Sequence, residues 1–169
     1  MSLPYHCCQA RNFSALNPVL IQQYLKVRDD PQTRKTHYFE GRFENIYVDR
    51  QQIPALNTVL DQAAREVQKI LGIDRLPRVG FWFNEMMPGH RTLLHTHDDD
   101  DELMSGVYYL EVPEHSGDLL LGKPGMQQRI TPKAGNFVFF PPDLCHEVDV
   151  NSSSERRLSV GMNFGLSQA

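Results

Sequence analysis

Cysteine, tryptophan and positive charge are all scarce in this 169-residue chain, and each shortage excludes something. With only three thiols, no disulfide framework is available, and the adjacent Cys7 and Cys8 are badly placed to pair with each other. The third, Cys145, reads as a small buried apolar residue. Such usage belongs to a reducing compartment, so a cytoplasmic location is expected. Against 21 acidic residues stand 17 Lys and Arg, for a formal net charge of −4. No basic stripe offsets that balance locally, which argues against nucleic acid as a partner. No apolar run approaches the roughly 20 residues that a membrane helix needs. The first residues have neither the basic nor the apolar region of a secretory signal, so neither membrane insertion nor export is expected. Repeats are lacking as well, and the one biased stretch is the acidic run over residues 98–102.

What the chain does contain is ordinary for a globular protein: 40% hydrophobic and 22% charged residues. Its length suits one domain with a real core. That domain is expected in two parts, mostly helical over residues 1–75 and β-rich over residues 78–165. Asn17 before Pro18 reads as a helix start, an amide cap followed by proline at the first helical position, with the helix running to about residue 27. A second helix is plainer. Leu56, Val59, Leu60, Ala63, Val67, Ile70 and Leu71 recur at three- and four-residue spacing, and Gly72 can end it. Beyond residue 78 the texture changes to short apolar runs between Gly and Pro turns. Eight strands are expected, over residues 79–84, 91–97, 103–112, 118–121, 127–131, 136–140, 146–150 and 156–164. Regular short strands of this number predict a mainly β, α+β domain: a double-stranded β-helix, or jelly roll, with the helices covering one face.

The chemistry concentrates in a few residues. His95 and His97 stand at i and i+2, and side chains two apart on a strand share a face. His146 follows the strong strand over 136–140 and the turn at Pro141-Pro142, where it can meet that pair. Three imidazoles suit a borderline transition metal such as iron. Asp99 shares the same period and is the reserve ligand, and periodicity does not choose between it and His97. His6, His37, His90 and His115 have no partners at ligand spacing and read as surface or structural residues. Asp98, Asp100, Asp101 and Glu102 read as a solvated loop at the cavity mouth. On the last strand, Arg156 and Arg157 point to opposite faces, so one of them can enter the barrel. Ser159 shares a face with Arg157.

Two related families fit parts of this arrangement. A cupin pattern is met by Gly89, His95, His97 and Glu102, then Gly135, Pro141 and His146, although Asp143 stands where a glycine is expected. A fuller match comes from His95-Thr96-His97, Ser105-Gly106-Val107-Tyr108-Tyr109-Leu110, Pro132-Lys133-Ala134-Gly135, Phe140-Pro141, His146, Arg157-Leu158-Ser159 and Asn163-Phe164. Over roughly residues 80–165 this ordered set resembles a small bacterial branch of the 2-oxoglutarate/Fe(II)-dependent oxygenases.

The resemblance implies a jelly-roll dioxygenase that uses Fe(II) and the co-substrate 2-oxoglutarate, with no catalytic residue beyond the metal ligands. It implies His95, His97 and His146 as ligands, with His97 where that superfamily normally has an acid. It also implies Arg157, Ser159 and Tyr109 around the co-substrate carboxylate, with Arg156 the alternative arginine. The substrate expected is a small molecule or a peptidyl side chain. Two rival functions stay open on the residues alone: a cupin-type metalloenzyme without 2-oxoglutarate, and a non-catalytic jelly-roll module that binds a ligand through its histidines.

Overall fold

Each of the eight expected strands forms, four in each of two antiparallel sheets that face one another. The structure is a computed structural model that describes residues 4–97 and 101–166. The strands are β4 (Arg78–Met86), β5 (Thr92–His95), β6 (Glu102–Glu111), β7 (Leu119–Leu121), β8 (Gln128–Ile130), β9 (Asn136–Phe140), β10 (His146–Val148) and β11 (Arg157–Gly165). One sheet contains the order β9-β6-β11-β4 and the other is β5-β10-β7-β8. This is the jelly roll expected from the strand spacing.

The N-terminal part departs from the helical expectation. It does hold α1 (Phe13–Val27) and α2 (Leu56–Leu71), but also β1 (His6–Gln9), β2 (Arg34–Phe39) and β3 (Arg42–Tyr47). These strands lengthen the larger sheet at both ends, to β1-β9-β6-β11-β4-β3-β2. Strands β2 and β3 form a hairpin across Glu40-Gly41, whose φ values of 48° and 80° give the two left-handed residues of a type I′ turn. A glutamate in the first position hides the usual Asn-Gly or Asp-Gly signal.

Alternation along the strands sorts the core. On β11, Leu158, Val160, Met162 and Phe164 are buried against the helices. The residues between them, Arg157, Ser159, Gly161 and Asn163, face a cavity between the sheets. Strand β9 sends Phe137 and Phe139 to the helical side and Val138 and Phe140 inward. Helix α2 buries Leu56, Val59, Leu60, Ala63 and Val67, and ends at Gly72 in the left-handed conformation with φ 63°. Both features were legible in its apolar spacing.

Helix α1 corrects the reading of Asn17. The helix begins four residues earlier, Pro18 lies inside it, and Asn17 is buried. Its side-chain amide donates to the carbonyl oxygens of Tyr109 (3.2 Å) and Leu110 (3.0 Å), and its Oδ1 accepts from the Tyr108 hydroxyl at 2.6 Å. At this point β6 carries an extra residue relative to β11, since Ser159 pairs with Tyr109 while Leu158 pairs with Glu111. A bulge strands backbone groups that the ladder no longer satisfies, and Asn17 satisfies the Leu110 carbonyl from outside the sheet while sharing that of Tyr109 with the Gly135 N–H. Asn17→Leu keeps the volume but orphans buried polar groups. We expect it to lower stability by about 2–4 kcal/mol in urea unfolding.

Candidate metal centre

The smaller sheet builds the site. His95 on β5 and His146 on β10 are direct cross-strand partners, with ring centroids 4.1 Å apart. Both rings are oriented in the same way. Nδ1–H of His95 donates to the Leu93 carbonyl at 2.8 Å, and Nδ1–H of His146 donates to the Leu144 carbonyl at 3.0 Å. A carbonyl oxygen can only accept, so Nδ1 carries a proton in both rings and Nε2 is the nitrogen turned to the cluster. A backbone carbonyl on the far nitrogen is how metal-binding histidines are commonly held.

His97 reaches the same place by another route. The expected strand over 91–97 stops at His95, so His97 is not on the ladder, and its backbone N–H donates to the Pro142 carbonyl at 2.8 Å. Its ring centroid lies 5.0 Å from that of His95 and 5.1 Å from that of His146. The potential ligand atoms of the three imidazoles all lie within 4.8 Å of one another. Asp99, the reserve ligand, lies outside the described residues. Glu102 is not part of the cluster, and it is not a solvated acid either: it opens β6, accepts from the Ser105 hydroxyl at 3.1 Å and has one buried oxygen. The glutamate that the cupin pattern asks for is thus turned away from the imidazoles.

A cavity of about 610 Å³ contains this cluster and continues to the far end of β11. Arg157, Ser159 and Tyr109 line it. Arg156 points the other way and pairs with Glu111 at 2.9 Å. Arg157 is only 2% exposed, and its Nη1 donates to the carbonyls of Gly117 (2.6 Å) and Ser116 (3.2 Å). Among the described residues no carboxylate forms an ion pair with it, and its Nε and the Tyr109 hydroxyl have no hydrogen-bond partner. Burial pushes the guanidinium below its ordinary value and the Tyr109 phenol up to about 12. A buried cation without an anion is costly. One with an unused donor beside a free hydroxyl is arranged to receive an anion. Three converging imidazoles and a buried guanidinium in one cavity therefore suit a transition metal together with an anionic ligand.

Sequence reading left several lining residues unplaced. Trp82, Asn84 and Met86 face inward from β4, and the hairpin contributes His37, Tyr38, Phe39 and Tyr47 at the mouth. His37 is thus a cavity residue, not merely a surface one, though it is not in the metal cluster. The alternation of Trp82, Asn84 and Met86 with Phe81 and Phe83 could have identified the β4 set. Nothing local in the hairpin marks which cavity it borders.

The His146 imidazole is pushed down to about 3, chiefly by burial and next by the neighbouring His95, with the Leu144 carbonyl opposing. Its unfolded counterpart titrates near its ordinary value of 6.5. Below that pH the unfolded chain takes up a proton that the folded chain refuses. The metal-free protein should therefore lose stability as pH falls from about 6.5 toward 3, by up to about 1.4 kcal/mol per pH unit. Unfolding midpoints measured across that range, with His146→Gln as the control, test this.

With this geometry in hand, likeness to known proteins is informative. Residues 81–165 match the family model described as the 2OG-Fe(II) oxygenase superfamily. No curated protein sequence matches the chain. Among solved structures, a Pseudomonas putida prolyl-4-hydroxylase superposes with a TM-score of 0.74 at 20% identity, over 97% of this chain and 94% of that one. A Trichoplax adhaerens prolyl hydroxylase, solved with a hypoxia inducible factor peptide fragment, gives 0.72 at 13% identity over 95% and 83%. The carbocyclase SnoK from nogalamycin biosynthesis gives 0.70 at 16% identity over 96% and 79%. At such identities the superpositions speak for the fold.

Proposed function

The chain belongs to the 2OG-Fe(II) oxygenase superfamily, and on that premise we propose that His95, His97 and His146 hold its iron while Arg157, Ser159 and Tyr109 hold its 2-oxoglutarate. The protein is an oxidoreductase, a 2-oxoglutarate-dependent dioxygenase. The observation that carries the residue assignment is the joining, in one cavity, of three converging imidazoles and a buried arginine lacking an anion.

When bound, iron and 2-oxoglutarate would supply oxidation of a substrate C–H by dioxygen, coupled to oxidative decarboxylation of the co-substrate to succinate and carbon dioxide, one oxygen atom going to succinate and the other to the oxidised product. The chain's own residues prepare for that chemistry. His95 and His146 would present Nε2 to the metal because their Nδ1–H groups are held by carbonyls. Arg157 would hold the distal carboxylate, with the hydroxyls of Tyr109 and Ser159 beside it. Their donors are fixed in the fold before the ligand arrives, so little reorganisation opposes binding. The buried side chains of Leu121, Val138 and Phe140 pack with Tyr109 at this end of the cavity.

The substrate is a small molecule or a peptidyl side chain, which enters past the aromatic hairpin and the exposed Leu93 and Leu94 of β5. No helix among the described residues is long and apolar enough to cross a membrane. The cysteines Cys7, Cys8 and Cys145 are all free, which fits a reducing, cytoplasmic setting.

Purified protein loaded anaerobically with Fe(II) and then 2-oxoglutarate should develop a weak visible charge-transfer band as the co-substrate chelates the metal. Confirmed iron occupancy with no band at saturating 2-oxoglutarate would overturn the assignment in favour of a site that works without this co-substrate.

A further inference from the structure

We propose that Trp82 is a positioning residue for the third imidazole, and that position 161 is glycine in order to seat it. The inference rests on His97 being a metal ligand, as assigned above. Trp82 on β4 and Gly161 on β11 are paired directly and both face the cavity. A Cβ built on Gly161 would lie no more than 2.6 Å from the indole atoms Cε2, Nε1 and Cζ2. The backbone of Gly161 is not in the left-handed region, so the missing side chain serves space and not chain conformation. The indole lies across the neighbouring strand in the room that an alanine would fill. On its other side the ring meets His97, with centroids 5.5 Å apart and planes inclined at 35°.

Such a wall acts where the strand ladder has ended. His95 and His146 are fixed by the β5–β10 ladder and by carbonyls on their Nδ1 atoms. His97 lies past the end of β5, where the ladder no longer restrains it. The Pro142 carbonyl holds its backbone, and the indole limits the ring's swing toward the larger sheet. The same steric arrangement recurs two residues further along the strand pair, where the Asn163 side chain occupies the space a Cβ on Gly80 would need. Partners that orient a metal ligand typically change metal affinity by roughly 10- to 100-fold when removed.

Trp82 is the sole tryptophan, so its emission reports on this contact directly. Metal-free protein is titrated anaerobically with Fe(II), and separately with Co(II), following fluorescence and heat. Wild-type emission should be quenched in step with saturation. Trp82→Phe keeps a flat ring and should bind within about threefold of wild type, whereas Trp82→Ala should bind roughly 10- to 100-fold more weakly. Gly161→Ala should shift the emission maximum and weaken binding to a similar degree. In the double variant the second change should add nothing, because the glycine has no ring left to accommodate. Equal affinity of Trp82→Ala and wild type, or additive losses in the double variant, would overturn the inference. If Gly161→Ala does not fold, the Phe and Ala variants of Trp82 decide the matter alone. His97→Ala separates the two levels of the argument. If it loses metal while Trp82→Ala does not, the positioning role fails and the ligand assignment stands. If it keeps metal at wild-type affinity, both fail.

Discussion

Arg157→Ala should weaken 2-oxoglutarate binding by roughly 30- to 1,000-fold while Fe(II) affinity stays near the wild-type level. The range follows from the 2–4 kcal/mol typical of truncating one member of a buried, hydrogen-bonded charge pair, at about 1.4 kcal/mol per decade. Its expected size reflects burial: Arg157 is 2% exposed and two carbonyls aim its guanidinium. Iron affinity should not change, because Arg157 is not among the clustered ligand atoms. A further signature separates this role from a structural one. Without 2-oxoglutarate the residue is a buried cation that no carboxylate among the described residues pairs, so Arg157→Met, which removes that cost while orphaning the Ser116 and Gly117 carbonyls, should change the unfolding midpoint of the free protein only slightly. A large loss of stability in that variant, with co-substrate affinity intact, would instead assign Arg157 to the framework. Calorimetric titration of the iron-loaded variants together with thermal unfolding makes both measurements.

On the proposed ligand set, the second large effect is expected at the imidazoles. His146→Ala should reduce Fe(II) affinity by more than about 100-fold, since even an outer partner of a ligand contributes 10- to 100-fold. His146 is the most enclosed of the three rings, touching Phe140 at a centroid distance of 4.7 Å as well as both other imidazoles. No neighbouring side chain in the cluster can take its place. His97 allows a finer comparison. His97→Ala should lose metal, whereas His97→Asp should retain it within about tenfold, because a carboxylate oxygen is a competent iron ligand and adds a charge. Should His97→Ala keep its iron and Asp99→Ala lose it, the third ligand is Asp99. Metal analysis after gel filtration, with circular dichroism as a check on folding, distinguishes these outcomes.

The parts of the site that could be read from residue order are those with local physical causes. Period-two alternation put Arg157 and Ser159 on one face, and the structure places both on the cavity wall. Alternation also required Arg156 to face away, where Glu111 receives it. The strong strand before Pro141-Pro142 pointed to His146 as the start of the next strand, which is where β10 begins. His97 was expected on the right face for a partly wrong reason. The strand ends before it, and the contact of its N–H with Pro142 brings its ring to the cluster. Asn17 was misread because an amide before proline looks the same whether it caps a helix or reaches out of one. What separates the two is a bulge 92 residues away.

Spacing along the chain marked out the jelly roll's eight strands and helix α2, and the ordered motifs carried the resemblance to the family. Strand period, turn residues and helix stripes arise from contacts between near neighbours, and these are written in order along the chain. Only the folded structure decided that a hairpin from the expected helical third borders the cavity, that Trp82 lies against His97, and that Arg157 has a free donor and no carboxylate partner among the described residues. Those are relations between segments tens of residues apart, set by how two twisted sheets close on each other, and no local pattern encodes them.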